Sequence, residues 1–144
     1  MKVVIQRVKR ASVRSGMSEV TIGPGMLLLV GFETADTVEA CGWAAAKIAS
    51  LRIFEDGEGK MNLGLQEVGG EILAVSQFTL AGSIAKGRRP SFDGAMAPAA
   101  ARALFGTFLD QLRALHPQVQ SGFFQEHMEV ELLNDGPVTF ILER

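Results

Sequence analysis

Between Lys2 and Val13, the apolar residues Val3, Ile5 and Val8 alternate with basic and polar ones. That two-residue period predicts a β-strand with one face against a core. A turn at Ser15-Gly16 leads to a second short strand over Glu19 to Ile22. Gly23-Pro24-Gly25 reads as another turn, because proline presets φ and glycine accepts positive φ. Met26 to Phe32 is apolar with a single glycine inside it, the pattern of a strand covered on both faces. The period then changes: Val38, Cys41, Ala45, Ile48 and Leu51 recur at helical spacing over Thr37 to Leu51, with Asp36 as the expected N-cap. After Arg52-Ile53-Phe54 and the polar loop Asp56-Gly57-Glu58-Gly59, Gly69-Gly70 precedes a strand predicted over Glu71 to Leu80. A loop from Ala81 to Pro98 joins it to a second helix, Ala99 to Leu115, whose apolar side is Ala103, Phe105, Phe108, Leu109 and Leu112. Two closing strands, about Met128 to Leu133 and Val138 to Leu142, flank a turn at Asn134-Asp135-Gly136-Pro137.

This order of elements, without repeats or linkers, predicts one α/β domain over residues 1–144. Barrel-like, strand-rich mixed sheets would be covered by two main helices. The 144 residues are 47% apolar and 21% charged, which excludes a disordered chain. A domain of this length buries roughly two thirds of its unfolded surface and needs no disulfide or metal to fold. The longest apolar run, Met26 to Val30, falls far short of the roughly 20 residues of a membrane helix, and no signal-peptide core stands at the start. Cys41 is the single cysteine, so a reducing compartment, the cytoplasm, is expected.

The net charge is −2, but the charges are unevenly spread. Lys2, Arg7, Lys9, Arg10 and Arg14 precede the first acid, Glu19, and Lys86, Arg88 and Arg89 stand in an acid-free stretch from Ile72 to Phe92. Such local basicity suits either an anionic ligand such as a phosphate backbone or ordinary solvated charge. Metal chemistry finds no support. His116, His127 and Cys41 stand at no ligand spacing, and His116 before Pro117 reads as a helix C-terminal residue. No cofactor is expected. Gly57-Glu58-Gly59-Lys60 lacks the spacing and the Ser or Thr of a phosphate loop and reads as a hairpin. Cys41 occupies an apolar helical position and reads as a core residue, and no GxSxG elbow exists.

Three segments stand out from this background. In Ala74-Val75-Ser76-Gln77-Phe78-Thr79-Leu80, polar groups interrupt an apolar strand. Lys86-Gly87-Arg88-Arg89-Pro90-Ser91-Phe92 gathers three cations, and Asn134-Asp135-Gly136-Pro137-Val138-Thr139 follows near the end. Taken singly they read as strand-end hydroxyls, a basic loop and a turn.

Together they resemble the D-aminoacyl-tRNA deacylase family, of the bacterial and eukaryotic type. That family carries an SQFTL motif, a KGxRPSF-like segment and a C-terminal NxGPVT motif. The resemblance extends to Ile5-Gln6-Arg7-Val8, Leu51 to Asp56 and Lys60-Met61-Asn62, with departures at Ala81 to Ala85 and Ser15 to Ser18. It implies hydrolysis of the ester joining a D-amino acid, or glycine, to the terminal ribose of tRNA. An alternative is a nucleic-acid-binding protein of the same fold without hydrolysis. Ser76, Gln77, Phe78 and Thr79 would form the catalytic segment. Backbone N–H groups around Phe78 and Thr79 would hold the oxyanion, and the substrate's 2′-hydroxyl would organise water. Thr79 is the side chain once favoured as nucleophile, but no base in the sequence partners it, so a positioning role is preferred. The resemblance further implies a cis Gly136-Pro137 peptide that enters the partner subunit's active site in a homodimer. There its carbonyls hold the substrate amino group and exclude an L side chain, with Arg7 and Met128 around it. Lys86, Arg88 and Arg89 would contact tRNA phosphates.

Overall fold

The computed structural model describes residues 1–144, which form eight strands and three α-helices. Strands β1 (Lys2–Ser15), β2 (Ser18–Ile22) and β3 (Gly25–Gly31) open the chain, followed by helix α1 (Val38–Ala49). A small hairpin of β4 (Phe54–Glu55) and β5 (Met61–Leu63) leads through the one-turn α2 (Leu65–Val68) to β6 (Glu71–Ser76). Helix α3 (Pro98–Leu115), β7 (Val119–Ser121) and β8 (Glu129–Glu143) complete it. The main sheet has the order β2-β1-β3-β6-β7, with β8 on the other side of β1. It is mixed: β3 pairs with β6 and β6 with β7 in parallel, while β1 is antiparallel to β2, β3 and β8. The sheet curls into a nearly closed, barrel-like form.

The curl explains why β3 is apolar from Met26 to Val30 and β6 from Ile72 to Val75. Met26, Leu28, Val30, Ile72 and Ala74 pack beneath the helices with Cys41, Ala45, Ile48, Phe108 and Leu112. Leu27, Leu73 and Val75 point the opposite way and meet Val8, Ala11, Val13 and Ile22 inside the curl. Each face of these central strands therefore has its own core, as an uninterrupted apolar run demands. Burial also raises the pKa of the Cys41 thiol, with Asp36 adding to the effect, so it stays protonated as a core residue.

Four expectations need correction. The N-cap of α1 is Thr37, whose hydroxyl accepts from the Ala40 N–H at 3.4 Å, because Asp36 is occupied by the Glu33 N–H and the terminal amine. Ala103 faces solvent on α3, while Phe105, Phe108, Leu109 and Leu112 are buried as expected. Strand β6 stops at Ser76 rather than Leu80, and Phe78–Ala81 forms a single 3₁₀ turn. The closing segment is not a hairpin. Glu129 to Asn134 and Thr139 to Glu143 both run antiparallel to β1, so the chain never reverses. Gln6 pairs with Thr139 and Val8 with Asn134, so Arg7 alone faces the four residues Asp135 to Val138. The turn-like residues are taken up as a large bulge in one long strand.

Candidate functional site

The bulge is closed by the residue that precedes it. The Asn134 carboxamide accepts from the Val138 N–H at 2.8 Å and donates to the Val138 carbonyl at 3.2 Å. It thereby replaces ladder partners that the looped-out residues cannot reach. Gly136 has φ of 146°, and a Cβ there would stand 2.6 Å from the Val138 side chain, so the position requires glycine. The Gly136–Pro137 peptide is cis, and both residues are exposed. Beneath them Arg7 is only 3% exposed, yet every direction of its guanidinium is used. Nε donates to the Asp135 carbonyl at 2.8 Å, Nη1 to the Ile53 carbonyl at 2.7 Å and Nη2 to the Glu55 carboxylate at 3.1 Å. A planar fork with donors on three sides suits this junction as no lysine could. It ties the bulge of β8 to β1 and to the β4–β5 hairpin.

The second assembly lies where β6 ends. The Gln77 N–H donates to the Val30 carbonyl at 2.7 Å, and the first N–H bonded within the turn is that of Leu80, on Gln77. The N–H groups of Phe78 and Thr79 precede it and have no acceptor inside the turn. The turn lies so close to β3 that a Cβ on Gly31 would sit 2.8 Å from both the Gln77 carbonyl and the Leu80 side chain. Thr79 is exposed, and its hydroxyl accepts a hydrogen bond from the Gln77 side-chain amide. No histidine, carboxylate or lysine hydrogen-bonds to it. His116 ends α3 as expected, but its ring is buried elsewhere with Nε2 on the Gly70 carbonyl at 2.8 Å. Nothing here prepares Thr79 as a nucleophile.

Two cavities flank Phe78. One, about 430 Å³, is mainly apolar and includes Phe78, Phe92, Met96 and Phe124. The other, about 390 Å³, includes Ser76, Gln77, Glu126, His127 and Met128. Ser76, Phe78 and Gln125 belong to both walls. The Phe78 and Phe92 rings touch, with centroids 5.1 Å apart, and Phe92 follows directly on a loop closed by reciprocal Ser83–Ser91 backbone bonds. That loop carries Lys86, Arg88 and Arg89, all exposed and free of salt bridges.

The structure thus gathers Ser76, Gln77, Phe78 and Met128 at one place and Arg7, Gly136 and Pro137 at another. Within one chain, Met128 departs from the expected neighbourhood of the Gly-Pro motif. Its sulfur accepts from the Phe123 N–H at 3.3 Å, which holds it against the second cavity. Gly136 and Pro137 line neither cavity of their own chain. Gln125, Met96 and Phe124 escaped sequence reasoning, because the walls join β6, α3 and the segment after β7, which are distant along the chain. No three His, Cys, Asp or Glu side chains gather as a metal site, and no helix is long and apolar enough to cross a membrane.

The chain is similar to known proteins along its whole length. A D-aminoacyl-tRNA deacylase of Geobacter sp. (strain M21) is 58% identical over 144 residues, covering 99% of this chain and 97% of the relative. One from Pelobacter propionicus is 55% identical over the full length of both chains. A solved structure described as "c-Myc DNA Unwinding Element Binding Protein" superposes with TM-score 0.94 at 40% identity, covering 100% of this chain and 99% of that one. A probable eukaryotic D-amino acid tRNA deacylase, 21% identical, shares the fold with TM-score 0.86 over 98% of this chain and 97% of its own. The family model for D-Tyr-tRNA(Tyr) deacylase matches residues 4–143, and the chain belongs to that family.

Proposed function

We propose that this protein hydrolyses the ester bond of D-aminoacyl-tRNA, releasing free amino acid and tRNA. The observation that carries the proposal is the nearly full-length family match, with the Ser76–Thr79 turn and the Asn134–Thr139 bulge each held by its own hydrogen bonds. Water adds to the acyl carbon, the carbon–oxygen bond to ribose breaks, and the ribose oxygen leaves with a proton. The aminoacyl ester is reactive, so catalysis rests on alignment and on stabilising the developing oxyanion. The N–H groups of Phe78 and Thr79 serve as its donors. Gln77 orients the Thr79 hydroxyl, which positions water and is not acylated.

The aromatic cavity suits the terminal base, since rings beside an apolar cleft offer stacking surfaces. The adjoining cavity then receives the aminoacyl group. Lys86, Arg88 and Arg89 approach the tRNA phosphates through an exposed loop that projects beside Phe92.

The chirality test is assigned to Gly136-Pro137 acting across a homodimer. Two facts support this: the motif is exposed, and it lies outside the cavities of its own chain. Strand β8 pairs only with β1 and leaves Val130, Leu133, Phe140 and Ile141 exposed, an apolar sheet edge suited to a second copy. The motif's main-chain carbonyls hold the ammonium group and leave no room for an L side chain. Glycine passes the same test, so glycyl-tRNA is also a substrate.

The deciding experiment is deacylation of matched D- and L-aminoacyl-tRNA by the purified protein. Rapid release from the D ester and little from the L ester are expected, while equal rates refute the assignment. A second reading, nucleic-acid binding without hydrolysis, draws on the structure described as a DNA unwinding element binding protein. It predicts binding with no release from either ester.

A further inference from the structure

Gln125 is the one non-glycine residue with positive φ, at 66°. Such a conformation is costly for a residue with a side chain and persists where both flanks are pinned. On one side, Arg102 lies over the Phe124 ring at 4.6 Å, and its Nη2 donates to the Phe124 carbonyl at 3.5 Å. On the other, Ser15 donates to the Glu126 carboxylate at 2.6 Å. The held residue is exposed and lines both cavities, as Phe78 does, and its carboxamide has no hydrogen bond within the chain.

We propose that Gln125 binds the 2′-hydroxyl of the terminal ribose. The inference rests on the deacylase reading above. An aminoacylated adenosine has a fixed order of parts, base, ribose and then ester, so a ligand filling both cavities sets its ribose at their junction. There the only side chains common to both walls are Ser76, Phe78 and Gln125. A hydroxyl both donates and accepts, a match that a phenyl ring cannot offer. Of the two polar side chains, Gln125 is the longer and the exposed one, while Ser76 is half-buried at the end of β6. The bent backbone at Gln125 brings that group to the junction, and the flanking contacts keep it there.

The test uses two variants and two substrates. Gln125→Ala removes the carboxamide and keeps a side chain at positive φ. Gln125→Gly removes it and relieves the backbone, so its Tm should equal or exceed that of the unmodified protein. Both should lose about 5- to 10-fold in kcat/KM on D-aminoacyl-tRNA, the size of one neutral hydrogen bond. With tRNA ending in 2′-deoxyadenosine, the unmodified protein and both variants should fall to rates that no longer differ. Wild-type kcat/KM in the stable Gln125→Gly protein overturns the proposal, as does a 2′-deoxy penalty of the same size in protein and variants. Calorimetry with a non-hydrolysable 3′-D-aminoacylamino-adenosine, with and without its 2′-hydroxyl, decides the question independently of turnover. Preference for the ribo form should vanish in Gln125→Ala, and a preference that survives refutes the assignment. Lack of turnover by the unmodified protein would instead count against the deacylase reading itself.

Discussion

Individual residues decide how close two pieces of backbone can come. Gly31 has no side chain, and that alone lets the turn bearing Phe78 and Thr79 rest on β3, since a Cβ would stand 2.8 Å from the Gln77 carbonyl. Gly31→Ala should push the turn away from the Val30 carbonyl and displace the Phe78 and Thr79 donors. An overpacking cost of about 1–3 kcal/mol in Tm or denaturant midpoint is expected, with a disproportionate fall in kcat. Asp56 illustrates a charge effect at this scale. The backbone N–H groups of Lys60 and Glu58 hold its carboxyl below its ordinary pKa of 3.8. A lowered folded-state pKa contributes stability above pH 3.8 that is lost as acid protonates the group. Thermal melts of Asp56→Asn and the unmodified protein should therefore differ most near neutrality and converge as acid protonates the lowered carboxyl.

Among the elements, the informative one is β8. A strand that loops out four residues opposite a single Arg7 must find other partners for its backbone. It finds them in the Asn134 carboxamide and the Arg7 guanidinium. Glu55, on the β4–β5 hairpin, is the only carboxylate that hydrogen-bonds directly to that guanidinium. Arg7→Lys should destabilise the fold by about 1–3 kcal/mol, because buried carbonyls lose charged donors. If the bulge performs the chirality test, this variant also lowers the D-over-L ratio of kcat/KM. Glu55→Gln should lower that ratio less while leaving Tm nearly unchanged, because half of its side chain is in water. An unaltered ratio in Arg7→Lys would detach the bulge from substrate selection.

The whole molecule has an open edge along β8, where Ile141 is 71% exposed and Phe140 41%. Ile141→Glu should convert the proposed dimer into a 15.4 kDa monomer by analytical ultracentrifugation. Activity should fall in step with dissociation, because Gly136 and Pro137 line neither cavity of their own chain. A fully active monomer would show that selection needs no partner. The basic loop acts at the same scale, through long-range charge. Replacing Lys86, Arg88 and Arg89 with alanine should raise KM and reduce the slope of log KM against log salt by about 2–3. A fall in kcat with an unchanged salt slope would instead tie the loop to chemistry.

Periodicity alone was enough to read β1, β3 and the two long helices, because burial on one or two faces is written locally in residue type. The motifs Ser76 to Leu80 and Asn134 to Thr139 were equally legible, and so was the family they point to. Tertiary structure decided what shape those motifs take. An Asn-Asp-Gly-Pro run has the composition of a turn, and pairing of both its flanks with β1 turned it into a bulge. Gln77 to Leu80 continues an apolar strand in sequence, yet the close approach of Gly31 and the Val30 carbonyl bends it into a 3₁₀ turn. The strained Gln125 and the buried ring of His116 carry no local signal, since neither comes from the residue's own pattern. Burial preference depends on the residue and is repeated along the chain, whereas a bulge or a shared cavity wall depends on which distant segments meet.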